Sequence, residues 1–110
     1  MNLQMSHEGE TTVVAPDGDV VASSVPELRP ALRDLVRSGS RSVVVDLAAA
    51  TMVDSTGLGL LLSAYNSLQQ VEGKFAIVNA SEELLELFHS LRIHQHFPVS
   101  GKNGVRDGRV

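Results

Sequence analysis

Two short apolar runs, Val43-Val44-Val45 and Phe75-Ala76-Ile77-Val78, stand on either side of a stretch with helical periodicity. Runs of this length are strand-like, and a continuous rather than alternating apolar pattern predicts strands buried on both faces in the middle of a sheet. Strands joined through a helix pair in parallel by a crossover rather than as a hairpin. The chain is thereby committed to an α/β layer.

The flanking segments extend the alternation. Thr11-Thr12-Val13-Val14-Ala15 is a β-rich run closed by the turn cluster Pro16-Asp17-Gly18, and Asn2 to Ser6 is expected beside it as an edge strand. Val25, Leu28, Leu32, Leu35 and Val36 then recur at helical spacing, with Ser24 as the expected N-cap, Pro26 in the first turn and Gly39 as the stop. The helix after the first apolar run carries Leu58, Leu61, Leu62, Tyr65 and Leu68 on one face and closes at Glu72-Gly73. A third opens at Ser81, with Glu82 and Glu83 complementing the dipole and Leu84, Leu85, Phe88 and Leu91 as its core stripe. Leu60 and Leu87 fall off these stripes and, if exposed, would be interface anchors. Phe97-Pro98-Val99 reads as a short last strand, restricted to an edge by Pro98, and residues 100–110 as a flexible tail. Three helices alternating with four or five strands make one α/β domain over 1–110, with a mixed sheet.

Charge and composition narrow the function classes. At 110 residues one core is affordable, burying about 65% of the unfolded surface. The net charge of −4, with no basic block, argues against nucleic acid as a partner. Cysteine is absent, which removes a disulfide framework and thiol chemistry. The first eight residues lack a basic and apolar leader pattern, and no apolar run approaches the ~20 residues of a spanning helix. A cytoplasmic protein without membrane insertion is expected.

The segment with chemical potential is Asp54-Ser55-Thr56-Gly57-Leu58-Gly59-Leu60, which follows the first apolar run and heads the second helix. First-turn N–H groups and the helix dipole there favour an anion on Ser55, by about 0.3–1 kcal/mol. Gly57 and Gly59 each cost the helix roughly 1 kcal/mol relative to Ala, so helix stability does not account for them. Two readings stay open on this basis. Either the glycines let the helix end pack tightly on the sheet, or they let a partner backbone or a phosphate approach.

Met52-Val53-Asp54-Ser55-Thr56-Gly57-Leu58-Gly59 resembles the signature of STAS-domain anti-sigma factor antagonists, the anti-anti-sigma factors of bacteria. Gly18-Asp19 is similar to that family's glycine-acid turn, Val43 to Leu47 to its central strand, and Phe97-Pro98-Val99 to its closing strand. The resemblance implies a STAS-type fold with helices packed mainly on one face of the sheet. It also implies Ser55 as phosphoacceptor and a partner-binding surface of Asp19, Val21, Asp54, Thr56, Gly57, Leu58, Gly59 and Leu60. The implied partners are an anti-sigma factor with serine kinase activity, which holds ATP and Mg²⁺ in its own pocket, and a PP2C-type phosphatase. By this reading the chain is no enzyme and carries no cofactor. One departure touches the switch: Val21 stands where the family commonly has aspartate or asparagine. A valine accepts no hydrogen bond from the serine, and Asp19 is the residue expected to take over part of that role. The alternative reading is therefore a STAS module that binds without being phosphorylated, as a scaffold or ligand-binding part of a regulatory or transport complex.

Other chemistries fit less well. A hydrolase elbow needs Gly-x-Ser-x-Gly, and Val53 occupies the first glycine position. Asp46, within an apolar strand, reads as a hydrogen-bonded strand-end residue. His89, His94 and His96 match no zinc spacing and read as partly exposed surface.

Overall fold

The computed structural model describes residues 2–102. Strand β1 (Leu3–Glu8) and strand β2 (Thr11–Pro16) form an antiparallel hairpin across Gly9-Glu10, with Gly9 at φ 65°. Helix α1 (Val25–Arg37) leads to strand β3 (Ser42–Asp46), helix α2 (Ser55–Gln70) to strand β4 (Lys74–Ala80), and helix α3 (Glu82–Ser90) through a 3-10 turn (Ile93–Gln95) to strand β5 (Val99–Gly101). The sheet order is β1-β2-β3-β4-β5, parallel throughout after β2.

This order decides where the helices lie. From β2 to β5 each crossover steps to the next strand in the same direction, and right-handed crossovers taken in one direction put every helix on the same face. The expectation of helices mainly on one face holds, and it overturns the expectation of strands buried on both sides. Along β3, Val43 and Val45 are buried while Val44 is half-buried, and β4 alternates likewise at Phe75, Ala76 and Ile77. Val44, Ala76 and Val78 line shallow depressions on the helix-free face. An uninterrupted apolar run thus marks a central strand with one covered face.

Other elements shift in detail. Helix α2 buries Gly57, Leu60, Leu61, Ala64 and Leu68, whereas Leu58, Leu62 and Tyr65 are half-buried. Its buried stripe is rotated toward α1, which it contacts, because it packs on a neighbouring helix as well as on the sheet. Leu60, which would be an interface anchor if exposed and is among the residues of the implied partner surface, is 3% exposed and belongs to the core. Leu87 is half-buried and packs against that core, and Leu91, expected in the stripe, is exposed because α3 ends at Ser90. Strand β5 runs from Val99, two residues later than expected, so Pro98 precedes it, and Ser100 and Gly101 belong to this strand, with Gly101 paired to Ala80 of β4, rather than to a tail. Residues 103–110 lie outside the described residues.

Candidate functional site

The junction of β3 and α2 is held by two carboxylates. Asp54 is the N-cap of α2 in extended conformation, and its Oδ1 accepts the Gly57 N–H at 2.8 Å, as a capping aspartate does. Its Oδ2 accepts the Ala22 N–H at 3.0 Å and so ties the helix start to the segment leading into α1. Asp19 reaches the other way: its Oδ1 accepts the Thr51 N–H at 2.7 Å, the Thr51 hydroxyl at 3.0 Å and the Met52 N–H at 3.1 Å. Between them Val20 and Val53 form a parallel bridge, in which Val20 N–H donates to Met52 O at 3.0 Å and Asp54 N–H to Val20 O at 3.3 Å. Two loops distant in sequence are thus sewn into one surface.

Both carboxyls are held below the usual carboxylate range. For Asp54 the largest cause is the Gly57 N–H, followed by that of Ala22; for Asp19 it is the Thr51 N–H, followed by the Thr51 hydroxyl. A carboxylate depressed in the folded state stabilises the fold fully above its unfolded pKa, about 3.9, and loses that contribution as pH falls through its lower folded pKa. We therefore expect the difference in unfolding free energy between the native chain and Asp19→Asn/Asp54→Asn to be level above about pH 5 and to shrink below about pH 4. Urea titrations across pH 3–7 would check this, and a difference unchanged at pH 3 would contradict it.

The two glycines separate into different roles. A β-carbon on Gly57 would run into the carbonyl oxygen of Val20 and stand 2.7 Å from its carbonyl carbon. Gly57 is buried, and it is glycine because the first turn of α2 rests on the backbone of Val20. Around Gly59, by contrast, no atom lies within 4 Å of the β-carbon position, and the residue is exposed. Tight packing accounts for Gly57, and open access to the helix surface remains as the property of Gly59.

The sequence-derived site residues fall into four groups. Ser55, Thr56 and Gly59 are exposed, with Ser55 the first residue of α2. Val21 and Leu58 are half-buried beside them. Gly57 and Leu60 face the core and present no side chain to a partner, while Asp19 and Asp54 brace the junction through the bonds above. Val21 lies in the turn that starts α1: its N–H donates to Ser24 Oγ at 3.0 Å, and its carbonyl accepts the Ser24 N–H at 2.9 Å. Ser24 holds the N-cap position but turns its hydroxyl to Asp19 O at 2.7 Å instead of capping the helix. Met52 was not singled out as a contact residue from sequence. It is 56% exposed, an apolar side chain in the loop just before Ser55, and its lone position between a strand and a cap is the signal that could have marked it.

Among the described residues, no group of three or more His, Cys, Asp or Glu is arranged to hold a metal ion. His89 and His94 stack at 4.5 Å, His96 lies against Tyr65, and Asp46 accepts the Ala48 N–H at 2.9 Å. No described helix is long and apolar enough to cross a membrane.

The family model of the STAS domain matches residues 2–104. The chain belongs to the STAS domain family. Among relatives of this STAS domain is the anti-sigma-B factor antagonist of Staphylococcus epidermidis, 31% identical over 88 residues that cover 80% of this chain and 82% of the relative. The fold is similar to that of a putative anti-sigma factor antagonist from Thermotoga maritima, at a TM-score of 0.84 and 14% identity, with 88% and 84% of the two chains covered. It is also similar to the Bacillus cell fate determinant SpoIIAA in its phosphorylated form, at a TM-score of 0.72 and 19% identity, with 93% and 94% covered.

Proposed function

We propose that this STAS domain is an anti-sigma factor antagonist that frees a sigma factor by occupying its anti-sigma factor, and that phosphorylation of Ser55 switches it off. The observation that carries the reading is the exposed Ser55 hydroxyl at the first position of α2, beside a helix end already capped by the Asp54 carboxylate. The named anti-sigma antagonists among its relatives supply the class of partner. Exposed Met52, half-buried Leu58 and Val21, and side-chain-free Gly59 form the contact surface around the hydroxyl.

The chemistry of the switch belongs to the partner. An anti-sigma factor with serine kinase activity holds ATP and Mg²⁺ and transfers the γ-phosphoryl group to Ser55 Oγ; the hydroxyl proton leaves to a base and ADP is released. A PP2C-type phosphatase hydrolyses the ester and restores the serine. The chain itself catalyses neither step and binds no cofactor. Phosphate brings about −1.5 to −2 charges next to Asp54. The carboxylate already occupies the Gly57 N–H, so the added charge meets a like charge at the contact surface rather than a vacant donor. The domain survives because the bonds of Asp19 and the packing of Gly57 on Val20 do not involve the Ser55 side chain.

A second reading rests on Val21, which offers no acid beside the serine: the domain would bind as a scaffold without being phosphorylated. Asp19 binds Thr51 and Met52 through Oδ1, and these bonds hold the loop rather than the serine. Intact-mass measurement after incubation with ATP and a cognate anti-sigma kinase separates the two. A single phosphate adduct that disappears in Ser55→Ala is the expected result, whereas stable binding to the kinase with no adduct would establish the scaffold.

A further inference from the structure

Helices α1 and α2 leave a groove of about 290 Å³ between them on the outer surface of the domain. Along one rim stand Arg29, Arg33 and Arg37, spaced four residues apart and all exposed. Four residues advance a helix by about 6 Å, so the guanidinium groups form a row one turn apart, spanning about 12 Å. The opposite rim is Ser63, Ser67 and Gln70 of α2, neutral groups able to donate hydrogen bonds. The floor is apolar, with Leu32 from α1 and Leu60 and Ala64 from α2. No acidic residue lines the groove, although the whole chain carries a net charge of −4. A third of the chain's nine Lys and Arg are therefore gathered on one rim, while the exposed acids of α1, Glu27 and Asp34, do not line the groove.

The geometry points to this groove as a docking site for an acidic amphipathic α-helix of a partner protein. Glutamates at i, i+4 and i+8 of such a helix repeat at the same interval as the arginine row. Leucine-type side chains on the adjacent stripe meet the accessible apolar groups of the groove, half-buried Val36 and exposed Val71, above that buried floor, as in helix-in-groove recognition. The site is independent of the phosphoswitch: its first α2 residue, Leu60, lies five positions beyond Ser55, about 7.5 Å along the axis. A partner engaged at Ser55 would find the groove in continuation.

The test uses a fluorescein-labelled amphipathic peptide of about fifteen residues with glutamates at i, i+4 and i+8 and leucines on the neighbouring stripe. Fluorescence polarisation gives the affinity, and amide chemical shifts of the ¹⁵N-labelled domain give the place. We expect saturable binding with shifts at Ser63, Ser67 and Gln70, and at least a tenfold loss of affinity in Arg29→Glu/Arg33→Glu/Arg37→Glu. Ser67→Glu, a single change on the opposite helix, should weaken binding about fivefold, so the outcome does not hang on one multiply substituted protein. A peptide with lysine for glutamate and one with a central proline should both bind at least tenfold more weakly, the latter because proline breaks the helix. Ser55→Asp should bind as the native chain does, so a failed phosphoswitch leaves this result readable. Equal affinity for the lysine peptide, unchanged affinity in the arginine variant, or shifts confined to other surfaces would each overturn the inference.

Discussion

Gly57→Ala is expected to destabilise the domain by about 3 kcal/mol or more, while Gly59→Ala, two residues along the same helix, stabilises it by up to about 1 kcal/mol. Both substitutions exchange glycine for the best helix former, so propensity alone gives the same favourable sign at both sites. The surroundings reverse it at Gly57. There the new methyl group would collide with the Val20 carbonyl, a backbone group fixed by the Asp54 N–H and by the Val20–Val53 bridge. Relief requires α2 to lift from the loop before α1, which also strains the Asp54 bonds to Gly57 and Ala22. Domains of this size have only about 5–15 kcal/mol of net stability, so such a loss is a large share of the total. Urea unfolding of the two variants would measure both effects. Equal shifts in midpoint would mean that α2 does not rest on Val20 as described.

The second large effect is on binding. A phosphate on Ser55 should weaken the complex with the anti-sigma partner by about 30- to 150-fold, equivalent to about 2–3 kcal/mol, the scale of like-charge burial at an interface. Ser55→Asp adds one charge and a shorter side chain, and about fivefold is expected of it. Titration calorimetry on the purified pair would give both numbers. Circular dichroism should show the native fold in each, because Ser55 is exposed and lies outside the buried core. Affinity unchanged by the phosphate would remove Ser55 from the contact surface. A fold lost on phosphorylation would instead make the switch one of stability.

The alternation of elements was legible because each carries its own local signal. Ser81 caps α3 through its bond from Leu84 N–H, Gly39 lies beyond α1 at φ 105°, and Asp54 caps α2 as the sequence suggests. These depend on residues within a few positions of one another. What failed depends on distant neighbours. The α2 stripe expected from Leu58, Leu61, Leu62, Tyr65 and Leu68 keeps Leu61 and Leu68 in the core, but the helix is buried on two sides, and Leu60 and Ala64 are buried where Leu58, Leu62 and Tyr65 are only half-buried. The bonding of Asp19 also depends on the fold: its Oδ1 holds Thr51 and Met52, residues 32 and 33 positions away.

The run from Asp54 to Leu60 therefore divides between the two levels. Sequence alone determined that a hydroxyl follows a capping aspartate at the head of a helix after a central strand, because capping chemistry and apolar periodicity act locally. Only the tertiary structure decided that Gly57 serves packing and Gly59 access, that Leu60 lies inside and Met52 outside, and that Asp19 braces the loop. Those distinctions depend on where the Val20 segment and helix α1 come to lie against α2. That placement follows from the handedness of three crossovers and the packing of whole elements, which no short window of residues contains.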